Sequence, residues 1–272
     1  MHCDSAYIIG KSHQVCQDYA RHGDGYCLIS DGCSGSPHTD IGARLLVLAA
    51  EQIMRDLPDL PWGEWGGNFF QAAAVIAAIR AKDLGFPLEA IDATLYALRA
   101  AEEGGKKTIL AYTCGDGAVA TLQKKKGNIQ EIQVGQIIYD DNCPYYPSYL
   151  LDETRGPRRR PGKLEFFYIG TDGEIGKPSS WPIYDKQVFL SSETEFVAIF
   201  SDGIASMTER VESETSICQK PVPVAEVIKE LLAFKGFAGQ FVQRRVQAFL
   251  RECKLKGREF SDDVSIAVMK FD

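Results

Sequence analysis

Tyr26-Cys27-Leu28-Ile29-Ser30-Asp31-Gly32 is a run of β-forming hydrophobic residues that ends in an acid and a glycine. The same shape recurs far downstream in Phe196-Val197-Ala198-Ile199-Phe200-Ser201-Asp202-Gly203. A third strand-like run opens on paired acids, Asp262-Asp263-Val264-Ser265-Ile266-Ala267-Val268-Met269, and a further carboxylate stands beside a glutamine in Cys16-Gln17-Asp18. Acids at the ends of buried strands, separated by nearly the whole chain, are gathered by the fold at one end of a sheet. Only cations offset the repulsion of carboxylates brought together in this way. The pattern predicts a two-metal hydrolase site.

The bulk composition is compatible with this. The 272 residues allow one large domain or two small ones, and 45% hydrophobic with 25% charged residues is ordinary for a chain that buries a sizeable core. A net charge of −7 argues against non-specific nucleic-acid binding. The eight cysteines, at 3, 16, 27, 33, 114, 143, 218 and 253, include no Cys-x-x-Cys pair, which disfavours a zinc ribbon or a thioredoxin site. Met1-His2-Cys3-Asp4 lacks the basic and apolar regions of a signal peptide, and no apolar run reaches the ~18–20 residues of a membrane span. A cytoplasmic protein with free thiols is expected, with no membrane and no nucleic-acid partner. Cys16 and Cys33 read as packing residues near the acids rather than ligands.

Along the chain, Ala6 to Ile9 reads as a short strand, Lys11 to Asp18 as a polar loop and Gly25 to Ser30 as a buried strand. Thr39 or Asp40 caps a helix from about Ile41 to Leu57, with Ala43, Leu46, Val47, Ala50 and Ile53 on one apolar face. Leu60 to Gly67 reads as a surface excursion. A second helix fits Phe69 to Leu84. Strands are expected at Ala90–Ala100, Lys107–Gly115, Ala118–Lys124, Asn128–Val134, Leu164–Ile169, Lys186–Ser191, Glu195–Ser201 and Val264–Phe271. Tyr139 to Gly162 reads as irregular, and two more helices fit Pro223–Phe234 and Ala238–Cys253. Meandering strands with helices in two pairs suit an α+β, four-layer αββα sandwich: two mainly antiparallel sheets face to face, flanked by helix pairs. No linker or repeat divides residues 1–272, so a single domain is expected.

In order along the chain, the motifs resemble those of the type 2C metal-dependent protein serine/threonine phosphatases, in a form similar to a divergent bacterial branch. Cys16-Gln17-Asp18 resembles that family's first acidic motif. Ser30-Asp31-Gly32-Cys33-Ser34-Gly35 resembles its bridging motif, followed by Gly42-Ala43 at a helix start. Asp92-Ala93-Thr94-Leu95 resembles the mid-chain threonine strand and Cys114-Gly115-Asp116-Gly117 the Gly-Asp-Ser turn. Phe200-Ser201-Asp202-Gly203-Ile204 and Ser261-Asp262-Asp263-Val264-Ser265 resemble the two closing motifs. Each is weak alone; six in order are strong.

The resemblance implies roles by position. Asp31 bridges two Mn²⁺ or Mg²⁺ ions with the Gly32 carbonyl on one of them, Asp202 and Asp262 bind the other, and Asp18 binds directly or through water. Asp116 helps hold a weaker third ion. Asp263 stands where the family often has Asn and is expected to bond to backbone. The reaction implied is attack on phosphoserine or phosphothreonine by a water or hydroxide bridging the ions, with no phosphoenzyme. Asp18, Asp31, Asp202 and His13 form the expected catalytic set. The expected partner is a phosphorylated protein with a cognate serine/threonine kinase, and the expected state is a monomer.

One departure concerns His13, which occupies a position where many relatives carry a phosphate-clamping arginine. Histidine cannot make the bidentate fork, although it can donate one hydrogen bond or act as an acid. Lys11 is a candidate for some of the missing charge. Two further readings follow: a regulatory or binding relative without turnover, and a hydrolase of small phosphoesters. Thr171-Asp172-Gly173 reads as a hairpin turn outside the motif order, and Arg155 to Arg160 as a solvated basic loop in a region where the family places a variable flap.

Overall fold

The structure is a computed structural model that describes residues 1–56, 66–124, 131–139, 142–152, 154–155, 162–169, 179–181, 184–212 and 217–272. Among these residues, seven strands form one antiparallel sheet in the order β1 (His2–Ile8), β15 (Val264–Lys270), β11 (Thr194–Phe200), β6 (Gly117–Gln123), β7 (Ile132–Ile138), β8 (Gly162–Ile169) and β9 (Ser179–Trp181). Five form a second, in the order β10 (Tyr184–Leu190), β5 (Lys106–Cys114), β4 (Leu95–Glu103), β3 (Tyr26–Asp31) and β2 (Asp18–Gly23). A small sheet joins β13 (Ile217–Pro221), β12 (Met207–Glu212) and β14 (Arg258–Phe260). The helices come in pairs, α1 (Thr39–Asp56) with α2 (Gly66–Asp83), and α3 (Val224–Leu231) with α4 (Phe241–Lys256).

Strand β11 shows why the chain folds in four layers. Val197 and Ile199 belong to the core shared with the five-stranded sheet, α1 and α2. Phe196, Ala198 and Phe200 point the other way, into the core beneath α3 and α4. Strand β15 divides in the same manner, Ala267 and Met269 to one side, Val264, Ile266 and Val268 to the other. Successive residues of a strand face opposite ways, so a strand covered on both faces must be apolar throughout. This accounts for the unbroken hydrophobic runs that end in acids.

Several elements differ from the sequence expectations. Strand β1 begins at His2, because buried Asp4 is satisfied by the start of α4: its Oδ2 accepts from the Val242 and Gln243 amides at 2.5 and 3.3 Å. Strand β2 begins at Asp18, the last residue of the expected polar loop, and is an element not expected from the sequence. Ala90 and Ile91 belong to a 3₁₀ turn, Leu88–Ile91, and the following strand starts only at Leu95. Thr39 is the first residue of α1 itself. The excursion expected at Leu60–Gly67 lies mostly outside the described residues. No helix among the described residues is long and apolar enough to cross a membrane.

Helix α1 rests directly on the 3₁₀ turn. A Cβ added at Gly42 would lie 1.6 Å from the Ala90 carbonyl oxygen, so only glycine permits this approach. Gly42→Ala must push the helix away from the segment that leads into β4. It is expected to cost about 1–3 kcal/mol and to lower the Tm by about 2–4 °C per kcal/mol, measured by circular dichroism.

Candidate active site

Four strand ends and one turn place the acids. Asp18 opens β2 and Asp31 closes β3, and the two stand directly opposite each other in the ladder. Asp116 lies in the turn between β5 and β6, Asp202 opens a 3₁₀ turn just after β11, and Asp262 sits two residues before β15. Strands β11 and β15 are neighbours, and the Ser201 amide donates to the Ser265 carbonyl at 3.1 Å. The same serine joins the two sheets: Ser201 Oγ donates to Asp18 Oδ2 at 2.7 Å and accepts from the Ser265 amide at 2.9 Å.

Gly32 continues from Asp31 beneath the first turn of α1. Its amide donates to the Gln17 carbonyl at 3.2 Å, and a Cβ there would lie 2.7 Å from the Thr39 carbonyl oxygen. Gln17 reaches in several directions, donating through Nε2 to Thr39 Oγ1 at 3.0 Å and accepting from Ser34 Oγ at 2.7 Å. The first acidic loop and the loop after Asp31 are thereby one unit.

Asp18 and Asp116 are buried, while Asp31, Asp202 and Asp262 keep a partly exposed side. Burial holds the Asp18 carboxyl up to about 7 and the Asp116 carboxyl up to about 8. Burial also holds Asp31 well above the ordinary carboxylate range, with repulsion from Asp18 and Asp202 adding to it, and raises Asp262. The acids interact in succession: Asp18 with Asp31, Asp31 with Asp202, and Asp202 with both Asp116 and Asp262. Among the described residues no three His, Cys, Asp or Glu side chains converge as the shell of a single ion.

Asp18 Oδ1 is buried without a hydrogen-bond partner. An orphaned buried carboxylate oxygen, in a set of donors that are all oxygen, fits a hard divalent cation such as Mg²⁺ or Mn²⁺. Asp18, Asp31, Asp116, Asp202, Asp262 and the Gly32 carbonyl are the groups available to hold one.

Asp263 is committed elsewhere. Its carboxylate accepts from the Gly10 amide at 2.7 Å and the Gln17 amide at 2.6 Å, which pins the loop between β1 and β2 to the start of β15. His13 lies on that loop, with Nδ1 2.9 Å from Asp263 Oδ2 and Nε2 3.6 Å from Asp262 Oδ1. Contact with Asp263 raises the His13 pKa, which favours the imidazolium. Lys11 is drawn away to Glu259, at 2.5 Å. Cys16 packs by its thiol against the Ile8 and Asp18 carbonyls, and burial pushes it up to about 12.

Asp92 is a hub that sequence reasoning missed as a site residue. It accepts from Ser36 Oγ at 2.8 Å, Ser148 Oγ at 2.7 Å and an Arg155 guanidinium nitrogen at 2.8 Å. Its own carbonyl takes the Cys33 amide at 2.9 Å. Next to it, the Thr94 hydroxyl accepts from the Asp31 amide at 3.0 Å, which fixes the bridging position from behind. No local pattern announces Asp92, because its side-chain partners lie 56 or 63 residues away. Of the basic run from Arg155 to Arg160 only Arg155 is described, and Thr171-Asp172-Gly173 lies outside the described residues.

Residues 9–139, which carry the first acidic loop, the bridging motif and the Asp116 turn, match the family model described as Protein phosphatase 2C. The whole chain also superposes on solved phosphatases. A bacterial serine phosphatase aligns at TM-score 0.56 and 11% identity, over 100% of this chain and 98% of that one. This is the type 2C phosphatase fold. The serine/threonine phosphatase Stp1 from Staphylococcus aureus aligns at TM-score 0.54 and 14% identity, covering 100% of this chain and 96% of its own. The catalytic domain of the serine threonine protein phosphatase PstP, in complex with two manganese ions, aligns at 0.50 and 16%, covering 98% and 96%. No curated protein sequence matches the chain. The type 2C fold matches the antiparallel sheets and helix pairs expected from the sequence.

The raised carboxyls make the cation-free chain sensitive to pH. Each holds its proton longer folded than unfolded, so the folded state binds more protons between about pH 4 and pH 8. The stabilisation is full below the unfolded value and is lost as pH rises through about 7 and 8. The Tm of the cation-free chain should fall across that window. Added Mn²⁺ should raise the Tm, and by more at pH 8 than at pH 5.5, as read by differential scanning fluorimetry.

Proposed function

We propose that residues 1–272 form a single catalytic domain, a monomeric cytoplasmic protein phosphatase that hydrolyses phosphoserine and phosphothreonine and depends on two Mn²⁺ or Mg²⁺ ions. The observation that carries this reading is the placement of Asp18 and Asp31 at strand ends of one sheet, bound through Ser201 to the end of the other where Asp202 and Asp262 stand, with Asp116 in the turn that joins the two sheets. The ions, when bound, would supply an activated water and charge neutralisation around phosphorus. The match of residues 9–139 to the Protein phosphatase 2C model supports the same reading, as does the manganese-bound PstP domain.

The chain's own residues have distinct parts in this proposal. Asp31, presented by β3 and backed by Thr94, would be a ligand shared by the ions. Asp202, Asp262 and, from β2, Asp18 would be further ligands, and Asp116 would help hold a weaker third ion. His13, whose imidazolium Asp263 favours, would meet the phosphate as a single donor. A phosphorylated protein is the proposed substrate, supplied by a serine/threonine kinase.

The test is hydrolysis of a phosphothreonine peptide by the purified chain with Mn²⁺, with Mg²⁺ and with excess EDTA. Activity should require the metal, and Asp31→Asn should lower kcat/KM by at least about 100-fold. Turnover that persists in EDTA, or at the wild-type level in the variant, would overturn the proposal. Manganese binding without turnover would favour a regulatory relative, the reading to which His13 points. His13→Arg restores a bidentate fork and should lower KM for the phosphopeptide by about 3–10-fold with kcat little changed.

A further inference from the structure

Two of the eight cysteines, Cys3 on β1 and Cys27 on β3, pack in the same core between the sheets, far along the strands from the acids. Cys3, Ser5 and Tyr7 alternate along β1 and share one face. That face meets the β2–β3 hairpin: Ser5 Oγ lies 3.0 Å from His22 Nδ1, and the Tyr7 and Tyr19 rings lie 5.5 Å apart. His22 is in turn directly opposite Cys27 in the ladder. Cys27 Sγ lies 3.4 Å from the Val268 carbonyl on β15, Val268 pairs with Asp4 next to Cys3, and the two thiols influence each other's protonation.

The two thiols differ in what surrounds them. Cys27 is sealed, at 0% exposure. Cys3 is half-buried and lines a cavity of about 400 Å³ at the surface, beside His2, Gly23, Asp24 and Phe237. The Cys27 thiol and the Gly25 amide lower the Cys3 pKa, which favours the reactive thiolate, whereas burial pushes Cys27 well up. Cys16, Cys114 and Cys253 are all held as thiols by burial. A partly exposed sulfur in the same core as a second, sealed sulfur suits an attacking and a resolving cysteine.

We propose that Cys3 and Cys27 form a modification site for hydroperoxides, in which Cys3 meets the oxidant from the cavity and Cys27 converts the product to a disulfide joining the two sheets. Cys3 sulfur attacks one peroxide oxygen, the O–O bond breaks, and the departing hydroxide takes up a proton as water. Cys27 sulfur then attacks the Cys3 sulfenic acid; the S–S bond forms, the S–O bond breaks, and hydroxide leaves with the Cys27 proton as a second water. Two thiols are oxidised by two electrons and one hydrogen peroxide is reduced to two waters.

The experiment treats the reduced full chain with a few equivalents of hydrogen peroxide and maps its peptides without reduction by mass spectrometry. The expected result is a Cys3–Cys27 linked peptide, loss of two free thiols and recovery of both with dithiothreitol. Cys3 should be consumed at least about tenfold faster than exposed Cys218. In Cys27→Ala, dimedone should trap the sulfenic acid on Cys3. Faster oxidation of Cys218 or Cys143 with Cys3 intact, or oxidation of Cys3 without linkage to Cys27, would overturn the proposal. The wild-type map decides the matter even where the variant folds poorly, and it reads out independently of phosphatase turnover.

Discussion

The hydrogen bond from Ser201 to Asp18 joins two sheets at the end where each presents its acids. Everything else at that end follows from keeping Asp18, Asp31, Asp116 and Asp202 close together with, among the described residues, no lysine or arginine paired to them. Burial makes ionised acids costly, and proximity makes them costlier. The chain meets this cost with rigid backbone: Thr94 behind Asp31, Gln17 between two loops, and Asp263 holding the loop between β1 and β2. The site's geometry is therefore a property of the double sheet rather than of any one loop.

The strands that face a layer on each side were readable from sequence because their environment leaves them no polar positions. Strands β3, β11 and β15 announce themselves as apolar runs, and the acid at each end marks where burial stops. Helix α1 was readable for the complementary reason, since one of its faces is solvated and its apolar stripe keeps a helical period. Strand β2, at the edge of its sheet and carrying Asp18, Arg21 and His22, lacks either signal. The small sheet built from Met207–Glu212 and its neighbours mixes charged, polar and apolar residues and gave no pattern. Leu88–Ile91 misled because a short apolar run has no period long enough to separate a turn from a strand.

In the candidate site, Asp31 and Asp202 were visible because the chain itself marks them, with an acid and a glycine at the end of a hydrophobic run. Ser201 and Asp92 carry no such mark. Their importance lies in partners brought by the fold from distant parts of the chain, and distance in sequence hides it. Asp263 is intermediate: its place beside Asp262 is legible, but its hold on the Gly10 and Gln17 amides is a tertiary fact.

The position of Asp92 bears on how variants of such a protein are interpreted. Its carboxylate and carbonyl hold Cys33 and Ser36 of the loop after Asp31, and Ser148 and Arg155 from a distant stretch. A saturation survey scored by growth or by turnover would rank it among the indispensable acids, alongside those that hold the ions in our proposal. Loss-of-function rank alone would then inflate the inventory of reacting groups by one. Separating the architect from the chemist requires a second axis, such as folded yield, for every acid in the survey.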